Sequence, residues 1–344
     1  MNKVPLIQNF IIIAGGNKIS EKILPVNNTS KIRHLRLITY FLLGMFLVLQ
    51  SCNQLGKKAT NETPTRGSIR ISVDESFRPI LETEIFTFTH LYASASIESS
   101  YKPELDVIND FMNDSVKVIV TSKKLSDYQV QSLRDTQVIA RTTTFAYDAL
   151  ALVTNKQNLD TLMKYNTVKD IFTGKIKNWK QIDPKSKLGD IRVIFDNNKS
   201  GNIRYFKELF EVDSLGSNFF AVDSNPDVID FVSRNEDALG IVSVNWISDK
   251  DDSKTREFLD KVSIVAVSHQ FLEDGYFHRP QQGSIYNKEY PFVRDVYLIS
   301  RETFAGLGSG FINWLCAEQG QRIVLKSGLV PATMPIRLVQ VKQE

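Results

Sequence analysis

The alternation of strand-like and helix-like segments that begins at Ser68 constrains the fold of this chain more than any other feature. Ile69, Ile71 and Val73 alternate with polar residues, as in a half-buried strand, and residues 78–91 follow with apolar positions at helical spacing. The same order of strand and helix recurs along the rest of the chain. This pattern indicates an α/β architecture with largely parallel strand pairing.

Later segments continue the pattern and allow helix boundaries to be predicted. Residues 191–195 are strand-like and lead to a helix over 203–210. Asn225 is predicted to cap the next helix, because the proline that follows it suits the first helical position. Near the carboxyl terminus we predict a glycine-rich loop over 306–310 and then one amphipathic helix over 311–326.

Composition excludes some classes of protein. The 344 residues are enough for two domains of ordinary size. Apolar residues make up 42% of the chain and charged residues 24%, which is typical of a folded globular protein. The 42 basic and 39 acidic residues leave a formal net charge of +3. This balance does not favour a nucleic-acid partner, and we predict none.

The first fifty residues have the pattern of an export signal. Lys31 and Arg36 precede an apolar run over residues 37–49, and the small residue Ser51 precedes Cys52. A membrane-spanning helix needs about 20 apolar residues, so this run is short for one. The stretch Leu-Gln-Ser-Cys that ends at Cys52 resembles a bacterial lipobox, which implies that this cysteine is acylated. The alternative is a short signal anchor followed by an ordinary buried cysteine.

The segment after Cys52 supports the lipoprotein interpretation. It is polar, contains glycine and proline and has almost nothing to bury, which is typical of a flexible tether. We therefore predict a signal peptide with an extended amino-terminal region over residues 1–51, and a lipidated cysteine with its tether over 52–67. The folded part would be anchored by lipid in the bacterial cell envelope and would face the periplasm.

No arrangement of residues predicts a metal site, a cofactor or an enzyme. The four histidines lack metal-ligand spacing, and the chain has no HExxH or CxxC motif. The nucleophile elbow, the P-loop and the dinucleotide-binding fingerprint are also missing. Cys316 lies on the apolar side of a predicted helix, where a buried and unreactive thiol is expected. A hydrolase remains an alternative, which turnover of phosphate esters would support.

Two strand–turn–helix segments are candidates for a ligand site. In the first, Ser200 is placed to cap a helix, and Gly201 and Asn202 begin its first turn. Glycine allows close approach to the backbone, and the free N–H groups of a helix start attract anions. The second segment contains Ser76 and Phe77. Because ligands of open α/β sheets bind at the carboxyl ends of strands, the two segments are expected to meet in one cleft. Ordinary helix caps are the alternative.

Four stretches resemble the phosphate-binding receptors of phosphate ABC transporters. Residues 76–79 (SFRP) resemble the first ligand loop of that family, and residues 167–179 (TVKDIFTGKIKNW) resemble its most recognisable segment. Residues 199–202 (KSGN) resemble its Ser-Gly-Thr loop, and residues 319–331 (QGQRIVLKSGLVP) resemble its carboxyl-terminal GQxxVxxxGxVP segment. The four occur in consistent order over roughly residues 68–333.

The resemblance implies a two-lobed α/β fold of the type II periplasmic-binding-protein class, with two crossovers between the lobes. Lobe one would comprise residues 68–150 plus 262–344, and lobe two residues 151–261. The implied function is that of a substrate-binding lipoprotein which captures a small oxyanion, phosphate first, between its lobes for an ABC permease. We expect a monomer. The alternative is a sensor or assembly lipoprotein for a different ligand, without a role in transport.

The resemblance is incomplete at the charged anchors of the site. This chain has Asp196 where the family usually has an arginine, Asn202 where it has threonine, and Lys117 where it has an aspartate. An aspartate at position 196 would oppose a dianion. We therefore predict that Ser76, Phe77, Ser200, Gly201 and Asn202 form the ligand site. Lys117 is predicted to replace the missing arginine as a point charge.

Overall fold

The computed structural model describes residues 62–271 and 275–335. Cys52, the predicted signal peptide and most of the predicted tether lie outside the described residues. Within the part that is described, no helix is both long and apolar enough to cross a membrane.

Thirteen strands are found in the described residues. In chain order they are β1 (Gly67–Asp74), β2 (Ala95–Lys102), β3 (Val118–Thr121), β4 (Arg141–Asn155), β5 (Leu162–Met163), β6 (Arg192–Phe195), β7 (Phe219–Ala221), β8 (Ala238–Ser243), β9 (Val262–Ile264), β10 (Ala266–Ser268), β11 (Phe277–His278), β12 (Val293–Ser300) and β13 (Val330–Pro331).

Ten α-helices connect and cover these strands within the same residues. They are α1 (Arg78–Leu91), α2 (Glu104–Met112), α3 (Asp127–Asp135), α4 (Tyr165–Phe172), α5 (Gly201–Phe210), α6 (Asn225–Arg234), α7 (Ser253–Lys261), α8 (Gln282–Tyr286), α9 (Leu307–Cys316) and α10 (Glu318–Lys326). Single 3₁₀ turns occur at Glu75–Phe77, Trp179–Gln181 and Val244–Trp246.

Ten of the strands form one mixed sheet, in the order β2-β1-β3-β12-β4-β8-β6-β7, with β9 and β13 also paired to β4. The outer pairs are parallel, as predicted from the sequence. The prediction of parallel pairing is wrong at the centre, where β12 runs antiparallel to both β3 and β4, and β8 runs antiparallel to β4. Strand β4 is long enough to pair with β12 along its first part and with β8 along its second. The alternation of strand and helix along the sequence does not fix the direction in which such distant strands pair.

An aromatic core holds helix α5 against the sheet. Phe206 on α5 stacks on Phe172 with ring centroids 4.6 Å apart and meets the edge of Phe292 at 4.9 Å. All three rings are almost fully buried. Burial of such rings stabilises a fold through both area and ring geometry. The start of α5, which contains the predicted ligand residues, is therefore attached to a rigid part of the core.

Three predictions about helix boundaries were wrong. The helix predicted over 311–326 is two helices, α9 and α10, separated at Ala317. The predicted glycine-rich loop belongs largely to α9. Within this helix, a Cβ atom at Gly310 would lie 1.9 Å from the carbonyl oxygen of Pro64. Glycine is needed there for close packing rather than for a turn. The cap of α6 is Ser224, one residue earlier than predicted, and its side chain accepts from the N–H of Asp227.

Candidate ligand site at the strand ends

The carboxyl end of β1 turns directly into the first predicted ligand segment. The Asp74 carboxylate accepts a hydrogen bond from the N–H of Ser76 at 3.0 Å, which fixes the 3₁₀ turn. Ser76 and Phe77 are fully buried. The Ser76 hydroxyl donates to Oδ1 of Asn202 at 3.1 Å. The two segments that the sequence predicted to converge are therefore in direct contact.

The second segment starts helix α5 as predicted. The Ser200 side chain accepts from the N–H of Ile203, and its hydroxyl donates to Oδ1 of Asp196 at 2.6 Å. At Gly201, a Cβ atom would lie 2.8 Å from Oγ of Ser122 and 2.9 Å from both Asp74 Oδ2 and Glu104 Oε1. This position accepts only glycine without displacement of its neighbours, because polar side chains approach the backbone on that side.

Lys117 is the one predicted site residue that the structure does not bring to this place. It immediately precedes β3, whereas Ser122 follows the other end of that strand. Its ammonium group is about half exposed and forms an ion pair with Asp114 at 2.7 Å. A lysine at the opposite end of a strand has no contact with the other five residues. It does not take the place of the arginine that the resemblance leads one to expect.

Sequence reasoning missed a buried arginine on β12. Arg294 is 5% exposed, and its Nε donates to Oδ2 of Asp148 at 2.9 Å. Its Nη2 also lies 2.9 Å from that oxygen, which makes an ion pair but does not have the geometry of a hydrogen bond. The guanidinium carbon lies 5.0 Å from the ring centroid of Phe77, a cation–π distance. The available signal was one arginine beside an aspartate in a strand that is otherwise mostly apolar.

A second missed group surrounds Glu104, the first residue of α2. Its Oε1 accepts from the hydroxyl of Thr121 at 3.0 Å, and from the hydroxyl and N–H of Ser122 at 2.6 and 3.1 Å. Arg204 on α5 binds both oxygens of this carboxylate, with Nη2 3.2 Å from Oε1 and Nε close to Oε2. Glu104 is 1% exposed. No local pattern of the sequence marks it, because its partners come from two distant segments.

An asparagine on α6 connects these groups. Oδ1 of Asn225 accepts from Nδ2 of Asn202 at 3.2 Å and from the N–H of Ser243 at 2.9 Å. Its Nδ2 donates to Oε2 of Glu75 at 2.6 Å. The Ser243 hydroxyl in turn lies 3.0 Å from the Asp148 carboxylate. We call the residues of these two turns and their hydrogen-bonded neighbours the polar cluster: Asp74, Glu75, Ser76, Glu104, Ser122, Asp148, Asp196, Ser200, Gly201, Asn202, Arg204, Asn225, Ser243 and Arg294.

Carboxyl groups outnumber guanidinium groups in the polar cluster by five to two, and their pKa values are shifted mainly by burial. Burial, with the nearby Glu104 as a smaller cause, raises the pKa of Asp74 to about 8. Burial likewise raises the pKa of Glu75 to about 7 and that of Asp196 to about 6. For Glu104, burial acts in the same direction, but Arg204 outweighs it and lowers the pKa. Asp74 therefore keeps its proton near neutral pH, and Glu75 is protonated in part.

Four buried polar atoms in and beside the polar cluster have no hydrogen-bond partner among the described residues. They are Oδ2 of Asp74, Nη1 and Nη2 of Arg294 and Nδ2 of Asn245. Leaving a buried donor or acceptor unpaired costs about 1–3 kcal/mol. Asn245 is linked to the polar cluster because its N–H donates to the hydroxyl of Ser243. Unpaired donors and acceptors in one place are what a polar ligand or bound water would satisfy.

A groove of about 840 Å³ leads to the polar cluster between α2 and α5. Lys123, Lys199 and Lys207 line it together with Arg204, and acidic residues are interspersed among them. The described residues contain no group of three or more His, Cys, Asp or Glu side chains arranged to hold a metal ion.

Comparisons with known proteins agree with this architecture. A sequence model described as a PBP superfamily domain matches residues 58–319. The phosphate-binding protein PstS of Borreliella burgdorferi is 22% identical over 304 residues, which cover 86% of this chain and 97% of that protein. PstS of Staphylococcus aureus strain USA300 is 21% identical over 288 residues, covering 81% and 83%.

Solved structures show the same fold. A Clostridium perfringens protein, described as a phosphate ABC transporter substrate-binding protein with bound phosphate, matches with a TM-score of 0.66 and 26% identity over 77% of this chain and 100% of that one. An ABC-type phosphate transport receptor from Vibrio cholerae matches with a TM-score of 0.58 and 19% identity, also over 77% and 100%. The predicted fold class, a two-lobed α/β protein of the periplasmic-binding-protein type, is confirmed. Since the family model covers more than half of its residues, the chain belongs to the PBP superfamily.

Proposed function

We propose that this protein is the substrate-binding protein of an ABC importer and that it captures a small oxyanion, with phosphate as the first candidate. The observation that carries the proposal is the buried guanidinium of Arg294, which keeps an unpaired Nη1 beside the two serine-containing turns. Arginine supplies N–H groups in a geometry that matches oxyanions. The relatives named phosphate-binding proteins support the same ligand.

The remaining donors come from both predicted lobes. Ser76 and Arg294 belong to residues 68–150 plus 262–344, and Ser200 with the first turn of α5 belongs to residues 151–261. The partial positive charge of a helix start favours an anion at this position. A protonated Asp74 carboxyl would donate a hydrogen bond to an anion, so its raised pKa favours anion binding near neutral pH.

Calorimetric titration of the purified full chain with phosphate tests the proposal. We expect Ser200→Ala to weaken binding by about 1–3 kcal/mol, because in the proposed complex the hydroxyl donates to the charged phosphate instead of to Asp196. Asp252→Ala is the matched control, since the Asp252 side chain caps α7 in the same way and lies outside both the polar cluster and the groove. Absence of binding at millimolar phosphate, with the fold intact, would remove phosphate as the ligand. An unchanged affinity in Ser200→Ala would place the site elsewhere.

We further propose that a lipid anchor at Cys52 holds the protein in the cell envelope beside its ABC permease. Acyl chains contribute about 0.8 kcal/mol for each buried CH₂, and two or three chains hold a protein firmly. We expect Cys52→Ala to release the protein into the soluble fraction. Cys316→Ala is the control, because this second cysteine is free and partly buried. Membrane association that persists in Cys52→Ala would instead support a signal anchor.

A further inference from the structure

The carboxylate of Glu104 is bound in the way that a ligand oxyanion would be bound. Two hydroxyls, one backbone N–H and a bidentate arginine donate to its two oxygens. Charge-assisted and bidentate hydrogen bonds of this kind are the usual means by which proteins hold carboxylate and phosphate groups. The side chain is almost fully buried, so water does not compete for these donors.

This carboxylate also lies where a ligand should approach the backbone. Oε1 of Glu104 would be 2.9 Å from a Cβ atom at Gly201. Gly201 begins the helix whose free N–H groups form the proposed anion site. An external oxyanion and the Glu104 carboxylate therefore compete for the same donors and for the same positive end of α5.

The contacts around Glu104 connect the two sides of the groove. The N–H of Leu105 donates to the carbonyl oxygen of Lys199 at 3.1 Å, and Nζ of Lys199 lies 3.0 Å from Oδ1 of Asp106. Lys123 and Glu208 form a further ion pair across the groove at 2.6 Å. These contacts join α2 and the segment after β3 to α5, from the start of that helix to its last turn. The Glu104–Arg204 pair is the most buried of them.

We propose that Glu104 is a built-in competitor for the anion site, which binds Arg204 and Ser122 across the groove and must be displaced before phosphate can use them. This inference rests on the proposed function and adds a specificity-determining residue to it. If only a fraction of the molecules has these donors free, the apparent affinity for phosphate is reduced by that fraction. A ligand must therefore offer more acceptors than a carboxylate does in order to displace it.

The first test measures phosphate affinity of the full chain by titration. Glu104→Ala removes the competing group, and we expect about tenfold tighter binding or more. Glu104→Gln keeps the shape but removes the charge, so its affinity should lie between those of the wild type and Glu104→Ala. Glu318→Ala is the matched control: Glu318 also binds an arginine, Arg322, and carries the same charge, but it is exposed and lies outside the groove. Its affinity should stay close to that of the wild type.

The second test does not depend on phosphate. The N–H of Leu105 lies in the first turn of α2, where the helix itself supplies no acceptor, so its bond to Lys199 reports contact across the groove. Without added phosphate, hydrogen exchange at Leu105 should be slow in the wild type and in Glu318→Ala. It should be fast in Glu104→Ala.

The two tests separate the inference from the proposed function. Equal phosphate affinity in the wild type and Glu104→Ala, or slow exchange at Leu105 in Glu104→Ala, would overturn the competitor role and leave phosphate binding in place. If no variant binds phosphate, the proposed function fails, and exchange at Leu105 alone then decides whether Glu104 holds the groove together. Tighter binding in Glu318→Ala equal to that in Glu104→Ala would also overturn the inference, because a general charge effect would explain both.

Discussion

Replacing Arg294 by methionine is expected to abolish measurable phosphate binding and to lower the free energy of unfolding by about 3–5 kcal/mol. The loss of stability arises because the Asp148 carboxylate, which is fully buried, would lose its only guanidinium partner among the described residues. The loss of binding arises because hydrogen bonds to charged groups contribute about 1.5–3 kcal/mol each, so two of them account for about 100-fold or more in affinity. Chemical denaturation and phosphate titration measure the two effects.

The double variant Asp148→Asn with Arg294→Met separates the two effects. It removes the uncompensated carboxylate, so most of the lost stability should return, whereas phosphate binding should not. Phosphate binding that survives in a folded Arg294→Met protein would show that another group holds the anion. If Arg294→Met alone is as stable as the wild type, Asp148 takes up a proton at no cost when its partner is removed.

Replacing Glu84 by methionine is expected to stabilise the protein, and by more at high pH than at low pH. Glu84 on α1 is fully buried, and neither of its carboxyl oxygens has a hydrogen-bond partner among the described residues. Burial raises its pKa to about 9. Between its ordinary pKa and this value, the folded state keeps a proton that the unfolded state releases, so stability falls as pH rises.

The expected size follows from the linkage of protonation and folding. Each pH unit in that window lowers the stability of the wild type by about 1.4 kcal/mol through this one group. The advantage of Glu84→Met should therefore grow by about 3 kcal/mol between about pH 6 and about pH 8. Glu84→Gln is the control, because it cannot ionise but leaves a buried amide unpaired: it should show the same loss of pH dependence and less total stability. Parallel pH profiles for wild type and both variants would contradict a raised pKa.

The parts of the site that depend on local sequence were predictable. A serine before a glycine at a strand-to-helix junction predicts a capped helix start, and Ser200 is the cap of α5. The fold class was also predictable, because four stretches in consistent order resemble one family. Residues 76–77 and 200–202 meet as expected, since both segments follow the carboxyl ends of parallel strands.

The charged part of the site was not predictable, because it depends on pairings between distant segments. Arg294 reaches Asp148 only because β12 pairs with β4, and Glu104 reaches Arg204 only because α2 and α5 face one groove. Periodicity reports which face of an element is apolar, but not which distant element lies opposite a charged residue. The prediction that Lys117 joins the site was wrong for a related reason. Lys117 precedes β3, so its charge lies at the end of that strand opposite to the site.

The position of β12 in the middle of the sheet has a consequence for how the protein acquires its structure. This strand lies between β3 and β4, although the chain passes from Asn155 at the end of β4 to Val293 before β12 begins. Contacts between such distant segments form slowly, because the loop between them must close first. Until β12 arrives, the facing edges of β3 and β4 are unpaired and open to association with other chains. Because Arg294 arrives on the same strand, the buried guanidinium takes its place only when the sheet is completed.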